Sequence, residues 1–340
     1  LSDQPAIEYR PYTRADEEQI VDLLRISMKK PDFPDMPGFW RWKHYENPFG
    51  ESPGLVAIGE GTVIGLRVFL RWEWRAKGRI FRAVRAVDTA THPDWGRRGI
   101  FEHMTREMIE RLTADGVDFI FNTPNQYSMP GYLKMGWTLV GRLPLRIRPQ
   151  RPTRVLKVAA QRSGLGGATA INELADNSAV LELLRRPAVQ ELTQAAENGS
   201  DGGKLSTVRT PAYLEWRYGH NRWYSYRAGF DSRGDSAALV IARSSRRGAL
   251  NELLVTDVVT SPDRGSRRLA AGIARGLAAE AKADYIAVSA FGDALGAGNG
   301  YWSVGQRGPN MTVRPLREGL APDPRVFASW GAAFGDLELF

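Results

Sequence analysis

Residues Thr91 to Met104 read THPDWGRRGIFEHM. A strand-like run, Ala83 to Ala90, delivers the chain to a Pro-Asp-Trp-Gly turn. Two arginines and Gly99 follow, and then helical spacing takes over, with Phe101, Met104, Met108 and Leu112 on one side. The first amides of a helix lack internal partners and carry the positive end of its dipole, which suits an anion. Glycine at position 99 lets an anion come close to the backbone. Arg97 and Arg98 add cations that can pair bidentately with phosphate. Two readings stand: a diphosphate cradle, or a strand-to-helix turn whose glycine only satisfies backbone angles.

The stretch has an echo. TSPDRGSRRLAAGI, Thr260 to Ile273, overlays it without a gap, placing Asp88 on Asp257, Thr91 on Thr260, Pro93 on Pro262, Asp94 on Asp263 and Gly96 on Gly265. PGFWRWKHYENPFG likewise resembles PAYLEWRYGHNRWY, with Trp42 on Trp216. Both segments continue into a helix, a short apolar strand (DFIFN, DYIAVS) and a tyrosine ahead of a glycine. Ordered agreement over so long a period means two copies of one domain. The stretch Arg146 to Gly167, proline-punctuated and then glycine-rich, reads as the connector. The expected boundaries are 1–147, a linker 148–171, and 172–340. Extended runs are expected at 7–11, 55–58, 62–74 and 79–90, with helices over 16–28 and 101–112. The final WGAAFGDLELF is expected to form a closing strand that buries Phe334, Leu337, Leu339 and Phe340.

A length of 340 residues suits two domains, and an apolar fraction of 43% suffices for packed cores. There is no cysteine, which excludes disulfides, thiolate nucleophiles and cysteine-based zinc sites. A reducing, cytoplasmic setting fits that absence. The four histidines form no His-x-x-x-His pair, so no metal is expected. No apolar run approaches 18 residues, and the first residues lack a signal-peptide plan, so neither membrane span nor secretion is expected. The net charge of +8 invites nucleic acid, but the arginines are scattered, and a small polyanionic ligand explains a local cluster equally well.

Strand, HPDWGRRGIF, helix, strand and PNQYSMPGYLKMGW in that order resemble the GNAT (N-acetyltransferase) superfamily. The resemblance covers Ile7 to Leu145 well and Asn172 to Phe340 more weakly. It implies an α/β (α+β) fold: two tandem GNAT-like domains, each a mixed, mostly antiparallel central sheet flanked by helices. The family pattern Gln/Arg-x-x-Gly-x-Gly/Ala falls on Gly96 to Phe101, keeping the central Gly99 but with glycine at the first place and phenylalanine at the last. It implies acetyl-CoA or another acyl-CoA as co-substrate, with its diphosphate on amides of Arg97, Arg98, Gly99, Ile100 and Phe101. The pantetheine would pair with backbone near Ala90 and Thr91, where an amide would polarise the thioester carbonyl. Asn125, Tyr132, Gly136 and Trp137 meet the family's second spacing, which implies cofactor contact by Asn125 and proton donation by Tyr132.

Chemistry supports such a donor, since a departing thiolate needs a proton that a phenol can supply. Tyr132 is thus either the acid or a core aromatic, and Tyr127 is the substitute; Pro130 is expected to interrupt the local helix. An amine needs a base, for which Asp88, Glu73 and His92 are candidates. Burial is expected to raise the pKa of Asp88, unless that aspartate only holds a turn. Trp40, Trp42, His44 and Tyr45 either pack over the sheet or wall an acceptor pocket. In the second copy Arg268 replaces Gly99 and Ser266 replaces Arg97, so no coenzyme is expected there, Arg268 filling the diphosphate space. Three functions compete. One is an N-acyltransferase acting on a primary amine of a small molecule, such as an amino sugar or amine metabolite. The others are a Fem-type aminoacyl transferase using charged tRNA and a non-catalytic acyl-CoA-binding module.

Overall fold

A computed structural model describes residues 6–28, 33–160, 173–198, 202–291, 295 and 299–337. Two compact units emerge, one of residues 1–74, 80–140 and 311–325, the other of 75–79, 141–310 and 326–340.

The first unit opens with β1 (Ile7–Pro11), α1 (Glu17–Met28) and α2 (Met36–His44). The meander β2 (Gly54–Gly59), β3 (Thr62–Ala76) and β4 (Arg79–Thr91) comes next. Its hairpins close on two-residue turns, Glu60-Gly61 and Lys77-Gly78, in which both residues have positive φ. That turn geometry matches the right-handed twist of the flanking strands and pins their register. Then come α3 (Ile100–Ala114), β5 (Phe119–Asn122), α4 (Met129–Lys134) and β6 (Thr138–Arg142). In α3 the apolar stripe Ile100, Met104, Met108 and Leu112 is buried against Leu55, Ala57, Ile64, Phe69 and Val84.

The second unit begins with β7 (Leu145–Pro149), α5 (Pro152–Ala160), α6 (Ser178–Leu184), α7 (Pro187–Asn198), the two-residue β8 (Ser206–Thr207) and α8 (Pro211–Leu214). It continues through β9 (Tyr226–Arg233), β10 (Ser236–Arg247), β11 (Leu250–Thr260), α9 (Arg264–Glu280), β12 (Tyr285–Ser289) and β13 (Trp302–Gly305). After β14 (Asn310–Pro315) the chain ends, among the described residues, in α10 (Phe334–Leu337). The sheet orders are β1-β2-β3-β4-β5-β14-β6 and β13-β7-β12-β11-β10-β9. β4 pairs with β5 and β11 with β12 in parallel, these being the strands that α3 and α9 connect.

The units cut the chain differently from the expected boundaries. β7, which straddles the expected end of the first domain at 147 and lies mostly in the stretch read as connector, pairs antiparallel with β12, whereas β14, expected in the second domain, pairs with β5. A strand beside an open sheet edge satisfies its backbone groups there whatever its sequence position. Within the expected linker 148–171, Pro152–Ala160 is helical and 161–172 lie outside the described residues. The expected closing strand is instead the short α10, with Phe334 and Leu337 buried; Leu339 and Phe340 lie outside the described residues.

Candidate active site

Parallel pairing of β4 with β5 covers only Ala83–Arg85 against Phe119–Phe121. β4 runs on to Thr91, while Asn122 turns to Thr312 of β14. Among the described residues, the β4 edge from Ala86 onward therefore has no strand opposite it. Ala90 is buried on that stretch and Thr91 half-buried. Exposed edge amides and carbonyls of this kind can pair with an extended ligand.

Beyond the edge lies the sequence-predicted cradle. Arg97 (φ 62°) and Gly99 (φ 75°) are both left-handed, so the turn curls its amides into a concave nest. The first helical bond of α3 runs from the His103 amide to the Gly99 carbonyl at 2.9 Å. The amides of Ile100, Phe101 and Glu102 precede it and are the helix's free donors. Arg97 and Arg98 are exposed, no carboxylate among the described residues pairs with either, and Arg98 lies 4.5 Å over the Trp95 ring. A Cβ added at Gly99 would meet nothing within 4 Å, so the fold leaves the approach open. These features fit a diphosphate.

The second copy departs from this for a reason other than the one expected. Arg268 does not plug the turn; its side chain is exposed and sits inside α9. The helix begins at Arg264, capped by the Asp263 side chain, which accepts from the Ser266 amide at 2.9 Å. Winding the turn into helix uses the amides that the first copy leaves free.

Tyr132 is 5% exposed on α4, its ring edge-on to Phe101 (6.0 Å) and Trp137 (5.2 Å). Phe101 thus links the cradle helix to the tyrosine. Pro130 does not interrupt α4; it sits in the first turn, where its missing N–H costs nothing. Asn125 ties down the turn ahead of α4, its Oδ1 accepting from the amides of Tyr127 (2.9 Å) and Ser128 (3.0 Å). Tyr127 is 84% exposed.

Asp88 has φ 37° on β4. Its Oδ2 accepts from Lys43 Nζ at 2.7 Å and pairs with His44 Nε2 at 2.8 Å. Burial opposes its ionisation, but Lys43 and His44 outweigh that and hold its pKa below the ordinary carboxylate range, opposite to the expected rise. His44 is fully buried, which lowers its pKa; Asp88 counteracts and Lys43 reinforces that effect. Its Nδ1 meets Ser52 Oγ at 2.9 Å, and Ser52 lines a cavity of about 360 Å³ with Tyr12, Glu51 and Arg111.

The other base candidates lie apart from this cluster. Glu73 is half-buried on β3, four residues before the Lys77-Gly78 turn. It stands roughly five ladder positions, or about 17 Å, along the strand from Asp88. His92, half-buried, accepts from the Asp94 amide at 3.3 Å. The aromatic residues of α2 divide: Trp40, Trp42 and His44 are buried and Tyr45 is half-buried, with Trp40 4.2 Å from the His44 ring.

Sequence reasoning missed Lys43 and His44 as partners of Asp88. The repeat carries the signal: with Trp42 on Trp216, they fall on Arg217 and Tyr218. Tyr218 donates to Asp257, the counterpart of Asp88, at 2.9 Å. Among the described residues no group of three metal-ligating side chains converges, and no helix is long and apolar enough to cross a membrane.

No curated protein matches the sequence. Several solved structures share the fold over most of the chain. A GCN5-related N-acetyltransferase from Anabaena variabilis matches with TM-score 0.59 at 13% identity, covering 92% of this chain and 73% of that one. A conserved protein of unknown function from Enterococcus faecalis, a probable N-acyltransferase, matches with TM-score 0.59 at 9% identity and the same coverage. Eis1 from Mycobacterium abscessus matches with TM-score 0.57 at 15% identity, covering 92% and 74%. Residues 8–140 match the family model of the acetyltransferase (GNAT) domain. The open β4 edge and the amide nest both lie inside that segment, so what the first unit carries is a GNAT-type acetyltransferase domain, a family that takes acyl groups from acyl-CoA.

Proposed function

We propose that the first unit transfers an acetyl or short acyl group from acyl-CoA to a primary amine of a small molecule, such as an amino sugar or amine metabolite, by direct attack. The observation that carries this reading is the contrast between the copies: one keeps free helix-start amides just after two arginines that pair with no carboxylate among the described residues, the other caps and consumes them. The same contrast disfavours a Fem-type donor, which gives no reason for a diphosphate cradle in one copy.

In this reading the amides of Arg97 to Phe101 and the two guanidinium groups hold the diphosphate. The edge near Ala90 and Thr91 aligns the thioester, and an amide there stabilises charge on its oxygen. Asp88, kept ionised by Lys43 and His44, accepts a hydrogen bond from the incoming amine, and the His44–Ser52 pair leads the released proton toward the cavity. Tyr132 gives its proton to the departing sulfur.

Calorimetry with coenzyme A, followed by thiol release over an amine panel, tests the reading. Binding together with turnover on an amine is expected; failure to bind at millimolar concentration would overturn it. Tyr132→Phe should lower kcat about 100-fold or more with little change in donor affinity. An unchanged rate would return Tyr132 to the core.

A further inference from the structure

Arg67, on β3, is fully buried, yet no carboxylate among the described residues pairs with it. Its Nε donates to Thr105 Oγ1 of α3 at 3.1 Å, and its Nη1 donates to Thr89 Oγ1 of β4. Its Nη2 is buried without a hydrogen-bond partner among the described residues. The guanidinium lies 4.4 Å from the Phe69 ring centroid, 5.3 Å from that of Phe101 and 5.5 Å from that of Tyr132. A buried cation without a counter-ion is costly, and a fold does not need one here.

The second copy demonstrates that. The His92 amide bonds the Ile64 carbonyl at 2.8 Å, and the Ser261 amide bonds that of Ala237 at 3.1 Å, which fixes the correspondence of the strands. Arg67 then falls on Val240, Thr89 on Val258 and Thr105 on Ala274. Val240 pairs with Val258 across the strands, and Val240 and Ala274 are buried in one core cluster. The same sheet-on-helix position is apolar in the copy that lost its cradle and cationic in the copy that kept it.

We infer that Arg67 is a positioning residue for the acyl transfer, a fixed buried cation that stabilises the phenolate formed when Tyr132 gives up its proton. The inference rests on the acid role proposed for Tyr132. In the step, the amine nitrogen forms the new C–N bond and the C–S pair stays with sulfur. The phenol proton passes to that sulfur, the amine proton leaves by Asp88 and the His44–Ser52 pair, and the phenolate takes a proton back from solvent before the next turnover. The guanidinium stands 5.5 Å from the centroid of the ring over which a phenolate's charge is delocalised, and with both groups buried its charge is little screened there. Arg314 lies over the Trp137 ring and donates to the Met135 carbonyl; Lys134 on α4 is exposed.

The test combines titration with kinetics on the full chain. The phenol of Tyr132 is followed by ultraviolet difference between each protein and its Tyr132→Phe counterpart. Arg67→Met should move that titration up by about tenfold in acid constant or more. It should cut kcat at least about tenfold while leaving the KM for acetyl-CoA within about twofold. Arg67→Lys should restore much of both. The triple variant Arg67→Val, Thr89→Val, Thr105→Ala installs the second copy's side chains. It should melt no lower than the parent, yet be as slow as Arg67→Met. An unmoved titration, or an equal rate loss from Arg67→Met in the Tyr132→Phe background, would overturn the inference. A fully active Tyr132→Phe would instead overturn the acid role, while the titration would still decide whether Arg67 acts on the phenol.

Discussion

Replacing Lys43 by methionine removes the cation from a buried cluster while keeping most of its volume. Lys43 is 4% exposed, and its Nζ stands 2.7 Å from Asp88 Oδ2. Because Asp88 retains 13% side-chain exposure, an effective dielectric constant of about 20 suits the pair. The direct attraction is then at most about 6 kcal/mol, and recovered hydration of the carboxylate reduces the loss. We expect the variant to unfold about 3 kcal/mol more easily at pH 8.

The pH dependence carries a sign that simple loss of packing would not. In the parent, burial and then Lys43 push the His44 pKa down, and Asp88 pulls it up. Without Lys43 one lowering cause disappears, so the variant's folded state takes up the imidazole proton at a higher pH than the parent's. Since unfolded histidine titrates near about 6.5, the deficit should shrink as pH falls from 8 toward 5.5, His44 replacing the lost cation. Urea unfolding at both pH values measures this. Adding Asp88→Asn should bring the stability back to within about 1 kcal/mol of the parent, because neither charge is then left alone. A deficit equal at both pH values and unrelieved by Asp88→Asn would refute the electrostatic account.

Three further outcomes are expected. Gly99→Arg should raise the coenzyme A Kd at least about 30-fold, since the new Cβ meets no protein atom within 4 Å and the side chain grows from the turn that would hold the diphosphate. Gly61→Arg, equally left-handed and open, serves as the backbone-strain control and should leave Kd unchanged. Arg97→Ala and Arg98→Ala break no ion pair among the described residues; each should weaken coenzyme A about tenfold at low salt and less at 0.5 M, by titration calorimetry. Asp263→Ala should cost about 1 kcal/mol by uncapping α9, with coenzyme A affinity unaltered.

The turn with its exposed arginines and free helix-start amides was legible from residue order because its cause is local. A strand, a glycine required by positive φ, adjacent cations and a helix start all lie within one dozen residues. The meander, α3 and the repeat were legible for the same reason, since side-chain period and turn chemistry act over short stretches. Three things required the folded chain. The exchange of β7 and β14 between the expected domains depends on which sheet edge is open, which no local pattern encodes. The ionisation of Asp88 depends on Lys43 and His44, more than forty residues earlier, and proximity to a cation outweighed the burial that sequence reasoning had emphasised. The absence of a comparable left-handed turn in the second copy, among the described residues, follows from where α9 begins, because the Asp263 cap winds that stretch into helix before Arg268 is reached. Sequence determines which groups can bind an anion; only tertiary packing decides whether their amides are free and their charges already matched.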